Sequence, residues 1–190
     1  MVSTSEQLLQ DLLELTQANL NAIENFKNQS KDILNWKENP KSWSVLECIA
    51  HLNRYGDFYI PEINQKIANA KHKSVAIFKS NWLGKYFSKS VAYSENVHKM
   101  KTFKAMNPLH SNLNEQTLET CIYQQHQIIE LLNKAKHVHL DKTKTAISIS
   151  KLIKLRLGDT FRVLIYHNER HVKQAEKVVQ MAMKRVVENE

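Results

Sequence analysis

The stretch from Gly158 to Gln180, GDTFRVLIYHNERHVKQAEKVVQ, constrains this chain more than any other. Phe161, Leu164, Ile165, Val172, Ala175, Val178, Val179 and Ala182 recur at helical spacing, so the segment reads as one long amphipathic helix continuing to about Val187. Asp159 is its expected cap. His167 and His171 lie four residues apart on this helix, roughly 40° apart around its axis and one turn above each other. Two imidazoles presented in this way make half of a metal site. The rest of the chain then has to supply a third ligand and a cavity.

Three glycines and three prolines in 190 residues are too few for the turns of a β sandwich or an α/β fold. A mostly helical chain follows. Residues 5–28 carry Leu8, Leu12, Leu13, Leu15, Leu20, Ala22, Ile23 and Phe26 on one face, with Ser5 as the expected cap. Ser44-x-x-Glu47 is a capping box ahead of a second helix whose buried stripe is Val45, Ile49, Leu52, Gly56, Tyr59 and Ile63. Pro61 removes one backbone donor there and is a candidate kink. Asn112-x-x-Glu115 is the expected start of a third helix running to about Lys136 on Leu118, Cys121, Ile122, Gln125, Ile129 and Leu132. Residues 137–150 read as a polar, β-branched linker open to an extended conformation. The expectation is an all-α, single-domain chain over residues 1–190: a four-helix bundle with a long crossover between its second and third helices and inward-facing site residues.

That crossover holds most of the charge. The chain carries a formal +8, and residues 71–111 alone hold eight lysines against one acid, Glu95. Short helical turns around 78–89 and 94–100 are expected within it. Its aromatics either pin a solvated connection to the bundle or line a pocket. With no helix-turn-helix pattern and the charge confined to one segment, a nucleic-acid partner is not expected. No apolar run approaches the ~18 residues of a membrane span, and the N-terminus lacks the pattern of a secretory leader. Two cysteines, Cys48 and Cys121, are too few for a disulfide framework. A protein of the reducing cytoplasm, with no membrane partner, is expected.

A catalytic zinc-type site takes three protein ligands and keeps one position open. His51, mid-helix and at the border between core and cavity, is the best third ligand. His72, His98 and His110 lie in the basic crossover, and His137 and His139 in the polar linker. His126 flanks the expected inner face of the third helix and could line the same cavity. HNERH is not HExxH: Asn168 replaces the general-base Glu, and Glu169 projects about 200° from His167. Peptidase chemistry by that route is not expected. Gln174 either holds a ring nitrogen of His171 or makes a core amide pair. Tyr55 and Tyr59 either donate hydrogen bonds into the cavity or simply pack. Asn168 is expected as a pocket polar group, Glu47 as the capping residue, and Cys48 as a small buried one.

WSVLECIAHL, then a long crossover, then LGDTFRVLIYHNERHVKQ, resembles the DinB-like superfamily of metal-binding four-helix bundles. The carrying positions are Trp43, Ser44, His51, His167, His171 and Gln174. The resemblance implies zinc or nickel on three histidines with an open position, and often a homodimer. Characterised relatives include transferases and isomerases that use mycothiol, bacillithiol or glutathione. A metal-dependent S-transferase or hydrolase with a small-molecule substrate is therefore expected, with a non-catalytic bundle bearing a structural metal or a bound small ligand as the alternative. Such thiols carry carboxylates, so Lys99, Lys101 and Lys104 are candidates for attracting an anionic substrate.

Overall fold

In the computed structural model of the protein, residues 2–94, 102–109 and 111–188 are described. Four long helices dominate: α1 (Ser5–Phe26), α3 (Val45–Ala68), α5 (Gln116–Ala135) and α6 (Leu157–Val187). Two short helices accompany them, α2 (Lys31–Asn35) and α4 (Trp82–Val91), with a 3-10 turn at Lys104–Met106. Two antiparallel strand pairs complete the fold: β1 (Val2–Thr4) with β2 (Ile77–Lys79), and β3 (Lys144–Ile147) with β4 (Ser150–Arg156). The long helices form a ring in which α1 and α3 each pack against both α5 and α6. Among the described residues no helix is long and apolar enough to cross a membrane.

The capping box of α3 forms as its sequence requires. Glu47 N donates to Ser44 Oγ at 3.2 Å, and Ser44 N donates to Glu47 Oε2 at 3.0 Å. Lys37 Nζ reaches Glu47 Oε1 at 2.6 Å, so both carboxylate oxygens of that residue are used. The helix continues through Pro61, whose exposed ring sits on the outer face.

Three other helix starts differ from expectation, two because a strand fixes the chain just ahead of them and one because a different asparagine takes the first turn. β1 pairs with β2 through Thr4, so Thr4 caps α1 (Gln7 N to Oγ1, 3.0 Å), and Ser5 becomes its first, buried residue. α5 starts at Gln116, with Asn114 Oδ1 accepting from Gln116 N at 3.0 Å; Asn112 is not its cap. α6 starts at Leu157 directly off β4, which draws Asp159 into the first turn. There Asp159 is buried and accepts from Ser80 Oγ at 2.5 Å, beside Arg162 at 3.9 Å.

The stretch 137–150 is in part extended, and with the residues after it forms a hairpin. The ten-residue α4 rests on α6 and that hairpin, where Leu83, Phe87 and Val91 cover Val163 of α6 and Ile147 and Leu155 of the strands. At Gly84 a Cβ would lie 2.1 Å from the Asp159 carboxylate, so only glycine permits this approach of α4 to α6. The expected turn at 94–100 lies almost wholly outside the described residues.

Two apolar clusters fill the ring. One gathers Leu8, Leu12, Tyr59, Ile63, Ile128, Leu132, Phe161 and Leu164; the other gathers Ile23, Val45, Ile49, Cys121, Val172 and Val179. Between them, in sequence, every long helix contributes buried polar groups: Thr16 and Asn19 on α1, His51 on α3, Gln124 and Gln125 on α5, His167, Asn168 and His171 on α6. These residues are a polar layer between two apolar clusters.

Candidate metal centre

The three histidines singled out in the sequence come together inside that layer. α3 delivers His51 seven residues after its cap, and α6 delivers His167 and His171 from successive turns. One ligand atom from each ring lies within 4.8 Å of the other two. His51 Nε2 and His167 Nε2 are 3.3 Å apart, and the ring of His171 lies 4.6 Å, centroid to centroid, from each of the others. Bonds of about 2.0–2.1 Å at the tetrahedral angle put two ligand nitrogens about 3.3–3.4 Å apart. These three residues could hold a metal ion.

Hydrogen bonding sets two of the tautomers. His51 Nδ1 lies 2.7 Å from the carbonyl oxygen of Met106, and His171 Nδ1 lies 3.0 Å from Gln174 Oε1. A carbonyl oxygen only accepts, so both Nδ1 atoms carry the proton and both Nε2 lone pairs are free to ligate. His167 Nδ1 is buried and has no hydrogen-bond partner, so no hydrogen bond to it fixes that ring's tautomer. A cation on Nε2 would fix it.

Protonation is suppressed at all three. Burial, with Arg54 and Arg170 nearby, pushes His51 down to about 4. Burial and the charge of a protonated His51 push His171 down to about 3. His167 falls well below its ordinary range, through burial first and then its two imidazole neighbours. At neutral pH the site therefore presents uncharged imidazoles, the ligating form. Three neutral nitrogen donors suit a borderline divalent ion, so the residues present fit the group.

Two aromatic rings wall the cluster. Trp43 lies 4.8 Å from His51 and 5.6 Å from His171, and Tyr55 lies 4.4 Å from His167 and 4.9 Å from His51. Tyr59 turns away; its hydroxyl accepts from Ser148 N at 3.3 Å, tying α3 to the hairpin. Gln174 holds a ring nitrogen. Asn168 faces α5 instead, donating to Gln125 Oε1 at 3.5 Å.

His126 does not join the site. It is exposed on α5, whose inward positions at that level are Gln124 and Gln125. Lys99 and Lys101 lie outside the described residues, while Lys104 is exposed in the 3-10 turn that also carries Met106. Cys48 and Cys121 are buried thiols whose pKa values burial pushes up, the latter to about 12, so neither is a ready thiolate. The Met106 carbonyl escaped the sequence reading because a backbone acceptor on a loop leaves no residue-type signal.

The family model described as the DinB superfamily matches residues 12–175, a stretch that includes all three histidines. The search of curated proteins returned no match. The search of solved structures returned none either.

Proposed function

Because the chain belongs to the DinB superfamily, we propose that it is a metal-dependent enzyme in which His51, His167 and His171 hold a divalent ion, zinc or nickel. The observation that carries this reading is the convergence of three uncharged imidazoles, two of them with the Nδ1 proton committed elsewhere. When bound, such an ion with an open position supplies a nucleophile at neutral pH from a thiol or from water.

The chain's own residues do the rest. The Met106 carbonyl and Gln174 orient two rings, and the faces of Trp43 and Tyr55 keep water from their sides. Burial raises the Tyr55 pKa, so its hydroxyl keeps its proton and serves as a hydrogen-bond donor. Lys104, with Lys99 and Lys101, attracts a small anionic substrate; a carboxylate-bearing thiol such as bacillithiol, mycothiol or glutathione has that chemistry. The reaction is then S-transfer from such a thiol, or hydrolysis. A cytoplasmic homodimer completes the reading.

Elemental analysis of protein purified without affinity-tag metal, wild type beside His171→Ala, is the test. About one metal per chain in the wild type and none in the variant is expected; a metal-free wild type sinks the proposal. Thiol consumption with an electrophile, measured against ester hydrolysis, then separates transferase from hydrolase.

A second reading has one observation in its favour: the ligands come from α3 and α6, so a cation would cross-link two packed helices. On that reading chelation lowers the melting temperature, and thiols leave the spectrum of a Co2+-substituted protein unchanged.

A further inference from the structure

Arg54 lies one turn after His51 on α3, and its guanidinium is directed at the crossover. Nη1 donates to the carbonyl oxygens of Ala105 (3.3 Å) and Asn107, and Nη2 donates to Ser111 Oγ at 3.1 Å. The segment it grips has bonds of its own: Met106 N to Phe103 O (2.9 Å), Leu109 N to Asn107 Oδ1 (3.2 Å) and Ser111 N to Pro108 O (3.0 Å). Between two of the gripped carbonyls lies that of Met106, 2.7 Å from His51 Nδ1.

Resting on the metal reading above, we propose that Arg54 is a positioning residue of the metal centre. It clamps Ala105, Asn107 and Ser111 so that the Met106 carbonyl stays on His51 Nδ1. Docking of the crossover and occupancy of the site are thereby coupled, and the coupling is reciprocal. A segment held in place keeps the lone pair of His51 pointed at the ion. A bound ion holds His51 in the rotamer and tautomer that grip the segment.

Electrostatics alone makes the opposite prediction. Arg54 is a cation close enough to lower the proton affinity of His51. Removing that charge should tighten the binding of another cation if charge were all that mattered. The clamp requires weaker binding when the residue is lost. The sign of the change therefore decides between the two.

The test uses the full chain as wild type, Arg54→Met and Arg54→Lys, with Zn2+ affinity from chelator competition and the absorption spectrum of the Co2+-loaded protein. Arg54→Met should bind Zn2+ about 10–100-fold more weakly, the usual range when the group orienting a histidine ligand is lost, with altered Co2+ bands. Arg54→Lys keeps the charge but loses the planar fork, and should fall on the weak side of wild type as well. Limited proteolysis gives a second readout. In the wild type Zn2+ should slow cleavage within residues 102–109, and in Arg54→Met that protection should disappear. Zn2+ binding by Arg54→Met as tight as wild type or tighter, or proteolysis that responds to Zn2+ equally in both, overturns the clamp. A wild type that takes up no metal overturns the metal reading instead, and the coupling with it. If Arg54→Met does not fold, Arg54→Lys and Ser111→Ala are read in the same assays, and unchanged affinity in both counts against the proposal.

Discussion

Among the described residues two sets of histidines have neighbouring rings, and one of them has the makings of a site. His51, His167 and His171 are buried, three in number, and bring one ligand atom each within 4.8 Å of the other two. His72 and His139 have ring centroids 6.4 Å apart at the edge of the crossover, beside the Lys73–Val138 bridge. What joins that pair is backbone: His139 N donates to His72 O at 3.0 Å. His139 Nδ1 accepts from Asp141 N at 3.3 Å, which uses a lone pair that a metal would need. His72 is exposed. Proximity is common to both sets. Desolvation, a third ring and carbonyl acceptors on two of the Nδ1 atoms distinguish the trio.

The contrast is broken most severely by pH. In the metal-free protein the unfolded imidazoles take up protons near pH 6.5, while folded His51 and His171 resist until about pH 4 and 3. Above about 6.5 both states are neutral and the rings contribute nothing to pH dependence. Below it the unfolded state binds more protons, so stability falls as pH drops and levels off only below the folded values. Urea unfolding across pH 7 to 4 should show a slope of roughly one proton per buried ring. Replacing His51 and His171 together should remove most of it, and replacing His72 and His139 should not. A smaller effect is expected at Gln174→Leu: metal binding about 10–100-fold weaker by chelator competition, with folding retained. The least is expected of His72→Ala with His139→Ala. Zn2+ affinity of that double variant should equal wild type, and a measurable loss would mean the exposed pair belongs to the site.

The sequence made the trio legible because helical periodicity alone places residues 167 and 171 on one face, and the capping box at Ser44 fixes where on α3 residue 51 falls. His126 was misplaced because one step along a helix is 100° of rotation, and Gln125 takes the inward position instead. The helix starts at Ser5 and Leu157 depend on strand pairing that no local pattern encodes, and at Gln116 an Asn114 contact competes with the expected capping box. Packing of α4 was hidden in another way: Leu83, Phe87 and Val91 recur at helical spacing, but that face does not say which element it covers. Arg54 meets the Ala105 carbonyl, and His51 that of Met106, across about fifty residues of chain, a distance at which periodicity carries no information.

The band of amides and imidazoles between the two apolar clusters also acts on the bundle itself. Aliphatic side chains are nearly interchangeable partners, so greasy helices can slide along one another at little penalty. Here a slip of one turn, about 5.4 Å, would part Asn168 Nδ2 from Gln125 Oε1 and His51 Nδ1 from the Met106 carbonyl, at about 1–3 kcal/mol for each group left unpaired. Axial alignment is thus decided by chemistry, and the three imidazoles are already level with one another before any ion arrives.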